Sequence, residues 1–159
     1  MTPEEKLLHL GLELPKSLSM PVGTTLPFPW VKLVDKTLYI SGHGAQNSDG
    51  TLAGPFGSVG SDVSIEEAQA SARQIGLAML SSIKRELGDL NKIRHWTRAF
   101  GMVNASPGFT EHPIIINGFT NLIVEIFGND IGGHTRSAVG MSSLPFNMCV
   151  EIEAQLLIH

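Results

Sequence analysis

Charge, cysteine and long apolar runs are all scarce in this 159-residue chain, and each scarcity excludes something. Charged residues make up only 16% of the chain, the formal net charge is -4, and the eleven Lys and Arg are scattered. No basic run supplies the phosphate-neutralising patch on which nucleic-acid affinity depends, so no nucleic-acid partner is expected. The single cysteine, Cys149, rules out an internal disulfide and fits a reducing compartment. The N-terminus, "MTPEEKLLHLG", begins acidic rather than basic, and nowhere do about 18 apolar residues follow one another. Neither a signal peptide nor a membrane span is expected, and the expected location is cytoplasmic.

Familiar catalytic signatures are missing as well. "GHG" and "GPFGSVG" lack the spacing and the following Lys-Ser/Thr of a phosphate-binding loop, and neither opens a helix directly after a strand. The six histidines, His9, His43, His95, His112, His134 and His159, include no pair at helical ligand spacing, so no metal is expected. There is no G-x-S-x-G elbow. Cys149 has no sequence neighbour that would lower its pKa and reads as a small strand residue.

What is present reads as one domain with alternating segments. Thr2, Pro3 and Glu5 form a capping box with proline at the first helical position, and Gly11 can end the short helix. "LPKSLSMPVGTTLPFP" is punctuated by proline and should run extended as a packed arm. "WVKLV" and "TLYIS" predict a hairpin from about Trp30 to Ser41, and the glycine-rich stretch after it is loop with a short strand near Leu52. Ser64 and Glu67 form a second capping box, and Ala68, Ala72, Ile75, Met79, Ile83 and Leu87 recur at helical spacing up to Gly88. A strand over Ile93 to Val103 places Trp96, Arg98, Phe100 and Met102 on one side. A second long helix runs from about Pro113 to Phe127, with Ile114, Asn117, Gly118, Leu122, Ile126 and Phe127 near one face and Gly128 as its stop. "TRSAVGM" and "CVEIEAQLLI" predict two closing strands. The order gives an α+β layer: a mostly antiparallel sheet with both helices on one face. Glu151, Glu153 and Gln155 make the other face polar, which suits a water-lined channel or a subunit interface, so a closed symmetric oligomer is expected.

Arg136 and Glu151 are left as the chemistry-bearing pair. If the two closing strands are neighbours, spacing alone favours a cross-strand ion pair. The alternative has both residues facing a ligand: an arginine fork binds a carboxylate bidentately, and a carboxylate nearby positions or deprotonates a water.

"SGHG…DGTLAG", "HPIIINGFTNLIVEIFG", "HTRSAVGMSSLP" and "VEIEAQ" together resemble the Rid/YjgF family of reactive intermediate deaminases, also labelled L-PSP endoribonucleases. The resemblance runs from about Pro27 to Leu157, and divides the chain into an N-terminal helix and arm, residues 1–26, and one family domain, residues 27–159. It implies a chorismate mutase-like fold with a six-stranded, mostly antiparallel sheet, two helices on one face and a short N-terminal helix. It also implies a homotrimer around a central β-barrel, with active clefts between subunits. The implied activity is hydrolytic deamination of 2-imino and 2-enamino acids to 2-keto acids and ammonia, without a cofactor. In that resemblance Arg136 holds the substrate carboxylate and Glu151 positions the attacking water. Ser41 and Gly42 form part of the pocket wall, Asn117 stands where the family has a helix asparagine, and Ala138 where the family presents a backbone amide to ligand.

Two positions depart from the family pattern. Phe28 replaces a tyrosine in the arm, keeping the ring but losing the hydroxyl. His43 replaces a glutamine, and its imidazole could contact a ligand, titrate near neutral pH or sit on the loop. Trp30 and Trp96 are candidates for an apolar pocket or for the core. Altered pocket residues also admit a specialised enzyme acting on a larger imine, enamine or keto compound, or a non-catalytic carboxylate-binding protein. Ribonuclease activity rests only on the family's older label and conflicts with the weak basic character.

Overall fold

The computed structural model describes residues 1–159. Three helices and five strands follow in the order α1 (Pro3–His9), β1 (Val31–Val34), β2 (Thr37–His43), α2 (Ile65–Leu87), β3 (Ile93–Asn104), α3 (His112–Gly132), β4 (Thr135–Met141) and β5 (Val150–Ile158). Both capping boxes form: Thr2 Oγ1 accepts from the Glu5 amide while Glu5 accepts from the Thr2 amide, and Ser64 and Glu67 do the same for α2. These reciprocal bonds satisfy amides that a helix start otherwise leaves without partners. The arm is tied down at Pro15 and Lys16, whose carbonyls accept from Ser81 and Gln46.

The strands form one mixed sheet in the order β1-β2-β5-β3-β4. Only the β3–β4 pair is parallel; β1–β2, β2–β5 and β3–β5 are antiparallel. The sheet has five strands rather than six, because the segment around Leu52 makes only an isolated bridge to Gln46. Gly50 turns the chain between the two sides of that bridge at φ 92°. The two closing strands are not neighbours either. Since α3 crosses from β3 to a parallel β4, β4 lies on the outer side of β3, and β3 separates it from β5.

Both long helices cover one face, where Ile75, Met79, Ile83, Ile116, Phe119, Leu122, Ile152 and Leu156 are fully buried. Trp96 belongs to this core at 2% exposure and does not share a side with Arg98. A register shift between Trp96 and Arg98 changes the strand's phase, so Arg98, Phe100 and Met102 face the open side while Ala99 and Val103 face the helices. In α3 the buried face runs through Ile115, Ile116, Phe119 and Ile123, and Ile114 is exposed. Gly128 breaks α3 with φ 76°, after which one more turn of helix reaches Gly132. By length and composition α3 could cross a membrane, but its buried residues form part of the core between α2 and the sheet.

The two helices pack closely at Gly118. A Cβ there would collide with the carbonyl oxygen of Gln69 on α2, a backbone atom that can give way only if the helices separate. Gly118→Ala is therefore expected to cost about 1–3 kcal/mol. Thermal unfolding would show this as a Tm lowered by roughly 2–4 °C per kcal/mol.

Candidate functional site

The Arg136 side chain leaves β4 on the helix side of the sheet and lies against α3. Its Nη1 donates to Thr120 Oγ1 at 3.0 Å, and its Nη2 donates to Pro113 O at 3.1 Å and to Asn117 Oδ1 at 2.7 Å. Pro113, Asn117 and Thr120 are spaced so that one face of α3 presents all three oxygens. Every acceptor is neutral, so the guanidinium keeps its charge, and three of its five donors are engaged. His134 steadies the arrangement: its Nδ1 donates to Gly132 O at 2.7 Å, leaving Nε2 to accept from Thr120 Oγ1 at 3.1 Å. Burial, assisted by the Arg136 charge, lowers the His134 pKa and keeps this ring neutral. Asn117 thus touches Arg136 directly, while Ala138, two residues along β4, is half-buried opposite Gly101.

Glu151 occupies the other face. Its neighbours Val150 and Ile152 point into the core, and Glu151 projects from the open side, where Gly42 makes room for it. A Cβ on Gly42 would come within 2.7 Å of Glu151 Oε2, so any larger residue would displace the carboxylate. Burial, and secondarily the charge of Glu153, raises the Glu151 pKa above the ordinary carboxylate value. No ion pair joins Glu151 to Arg136; the ion pairs in the molecule are Arg73–Glu125 and Lys84–Glu4.

A bulge in β2 sets the surroundings of Glu151. Ile40 pairs with Ala154 and His43 with Ile152, so Ser41 and Gly42 together stand opposite Glu153. The extra residue reverses the strand's phase and turns His43 toward α2, where it is 3% exposed. Its Nδ1 donates to Ser41 O at 2.6 Å and its Nε2 accepts from Ser82 Oγ at 2.8 Å. Ser41 stays at the open side, donating its hydroxyl to Pro29 O at 2.8 Å. With Phe28, Tyr39, Arg98 and Glu153 it lines a cavity of about 310 Å³. Phe28 is exposed and stands edge-on to Trp30, with ring centroids 5.6 Å apart.

The residues expected to act together therefore fall into separate groups. Phe28, Ser41, Gly42 and Glu151 lie toward the open face; Arg136, Asn117 and Ala138 lie at the β4–α3 edge; His43 is sealed against α2. Sequence reasoning missed Thr120, His134, Ser82 and Glu153 as determinants. For Thr120 a signal existed, since Pro113, Asn117 and Thr120 recur at helical spacing; for Ser82 none did, because its contact depends on the bulge.

The α+β architecture, a sheet with one helix-covered face, is shared with known proteins. The profile of the family described as YjgF/chorismate mutase-like, putative endoribonuclease, matches residues 4–155. Protein TCP17 of Trypanosoma cruzi is 37% identical over 117 residues, covering 74% of this chain and 72% of that protein. The crystal structure of Atu1372 from Agrobacterium tumefaciens is 36% identical and superposes with a TM-score of 0.86, covering 99% of this chain and 92% of that one. A protein from Shewanella oneidensis MR-1 carrying the same endoribonuclease designation is 28% identical with a TM-score of 0.87, over 99% of this chain and 100% of its own. The chain belongs to the YjgF/chorismate mutase-like family.

The His43 environment has a measurable consequence. Desolvation lowers its pKa from 6.5 to about 4, with the Arg85 charge adding to the effect and the bond to Ser41 opposing it. Because the folded value lies below the unfolded one, the stabilisation is complete above pH 6.5 and is lost as pH falls toward 4. The loss amounts to about 3 kcal/mol. Urea unfolding between pH 7 and pH 4 should show the wild type losing that much more than His43→Gln; equal losses would exclude His43 as the source.

Proposed function

We propose that the protein is an imine/enamine deaminase, hydrolysing 2-imino and 2-enamino acids to 2-keto acids and ammonia. The observation that carries this reading is the contrast between its two charged groups. Arg136 is fixed by neutral oxygens and lacks a carboxylate partner, while Glu151 is a half-buried carboxylate with a raised pKa, seated in the volume that Gly42 leaves. The first suits a substrate carboxylate, the second a proton that must be taken and returned.

In the reaction, Arg136 binds the carboxylate of the imino acid, so the C2 carbon presents itself in a fixed orientation. A water held by Glu151 attacks C2, forming the C–O bond as the C=N π pair moves to nitrogen, and Glu151 takes the water's proton and delivers it to that nitrogen, giving the neutral carbinolamine. Glu151 then takes the hydroxyl proton as the carbonyl forms and the C–N bond breaks, and passes it to the departing nitrogen, which leaves as ammonia. An enamine enters the same sequence once C3 gains a proton and the nitrogen loses one, which makes it the imine. Such orientation and proton handling commonly contribute about 10²–10⁴-fold, a suitable scale for a reaction that already proceeds in water.

Because Arg136 and Glu151 occupy opposite faces of one sheet, the proposed cleft takes the arginine from one copy of the chain and the glutamate from another. A ring of three copies satisfies this head-to-tail requirement, with the polar open faces turned inward as a barrel.

With freshly generated 2-aminoacrylate and coupled detection of pyruvate, the wild type should accelerate keto-acid release. Arg136→Ala should lower kcat/KM by about 100-fold or more. Glu151→Gln should lower kcat by about 10²–10⁴-fold. No acceleration by the wild type with several imino acids would overturn the reading. Co-refolding the two variants in equal amounts tests the shared cleft separately. One site in about four would then combine an intact arginine with an intact glutamate, restoring roughly a quarter of wild-type activity; no recovery would place both residues in the same subunit.

A further inference from the structure

The hydrogen-bond chain that holds Arg136 occurs a second time in the molecule. In the first, His134 Nδ1 donates to a carbonyl, Thr120 donates to His134 Nε2, and Arg136 donates to Thr120. In the second, His43 Nδ1 donates to Ser41 O, Ser82 donates to His43 Nε2, and Arg85 Nη2 donates to Ser82 Oγ at 3.0 Å. Each carbonyl fixes the imidazole proton on Nδ1, so a neutral ring can only accept at Nε2. The hydroxyl proton is thereby directed to the ring and its lone pairs to the arginine. Arg85 gains one more neutral acceptor, Ser81 Oγ at 2.6 Å, which itself donates to Pro15 O at 2.5 Å.

Arg85 is thus oriented without being neutralised. Neither of the molecule's two ion pairs involves it. It opens onto a surface cavity of about 200 Å³ lined by Pro29, Trp30, Val31, Ser82, Arg85 and Glu86. That volume lies below the range of about 300–1,000 Å³ typical of drug-sized ligands, which limits the occupant to a small molecule. Pro29, Trp30 and Val31 make one wall apolar. Glu86 adds a negative charge that disfavours a dianion such as phosphate more than a single carboxylate.

We propose that this cavity is a second binding site, which takes a small monocarboxylate with a short apolar tail, its carboxylate on the Arg85 N–H donors that Ser81 and Ser82 leave free and its tail on Trp30. The site lies on the helix-covered side of the sheet between α2 and the start of β1, and shares no residue with the Arg136–Glu151 pair. It stands whether or not the proposed deamination does.

Tryptophan fluorescence offers a direct test, because Trp30 lines the cavity whereas the other tryptophan, Trp96, is 2% exposed in the core. Titration with isovalerate, an apolar monocarboxylate, should give a saturable change in the wild type and the same change in Arg136→Ala. Arg85→Gln should raise the apparent Kd by about tenfold or more. No saturable change up to about 10 mM overturns the proposal. So does a change that disappears in Arg136→Ala, or one that Arg85→Gln, shown folded by circular dichroism, leaves intact. Should Arg85→Gln fail to fold, Glu86→Gln carries the test: tighter binding supports the site, and unchanged or weaker binding overturns it.

Discussion

Ser41 and Gly42 together face one residue of β5, and the position of nearly every group around Glu151 depends on that extra residue. With a regular β2, His43 would project from the open face beside Tyr39 and Ser41. The bulge instead turns it into the helix layer, where its ring closes on Ser41 O and Ser82 Oγ and fixes the bulge in return. A bulge leaves backbone groups outside the ladder, and a buried carbonyl without a partner is costly. Here the imidazole supplies that partner, so the irregularity and the histidine stabilise each other. Gly42 then lies on the open side, where its missing side chain leaves the volume that the Glu151 carboxylate fills.

The handling of positive charge follows a complementary logic. Arg73 is matched by Glu125 at 2.9 Å, and such an exposed pair contributes little beyond about 1 kcal/mol. Arg136 and Arg85 are instead held by carbonyl, amide and hydroxyl oxygens, and one hydroxyl at each, Thr120 and Ser82, is polarised by a neutral histidine. Hydrogen bonds to a charged donor are stronger than neutral ones, so a side chain with many rotamers can be fixed in place without an opposing charge. Burial disfavours the charged form of both arginines and lowers both pKa values, although a guanidinium starts so high that it stays protonated. An arginine in this condition gains more from an arriving anion than one already paired.

Local sequence signals gave a clear account of some elements and not of others. The capping boxes at Thr2 and Ser64 mark their helices because the signal and the structure involve the same four residues. The α2 face was legible because Ala68, Ala72, Ile75, Met79 and Ile83 contrast with polar residues between them. In α3, "IIINGFTNLIVEIF" is apolar on nearly every side, so periodicity could not separate the exposed Ile114 from the buried Ile115. Alternation also failed at Trp96, where a register shift changed its phase, and the hairpin expected to end at Ser41 stopped short of the bulge that turns His43 inward. The pairing of β4 was illegible for a different reason: two strands consecutive in sequence suggest neighbours, and only the α3 crossover reveals that β4 joins β3 in parallel. Arg136 and Glu151 were identified as residues, but their placement on opposite faces follows from that crossover and not from their spacing.

This placement links binding to assembly in the proposed deaminase. Within one copy Arg136 lies against α3 and Glu151 on the opposite face of the sheet, so a carboxylate bound to Arg136 does not have Glu151 beside it. In the proposed assembly a second copy supplies Glu151 and also covers polar groups of the open side, among them Lys32, Arg98 and Glu153, which line one cavity. Opposite charges spread over such a face fix the register of docking more than they add affinity. A substrate analogue held between Arg136 of one copy and Glu151 of the next binds only the assembled state. By linkage it must favour assembly by the same factor that assembly favours its binding.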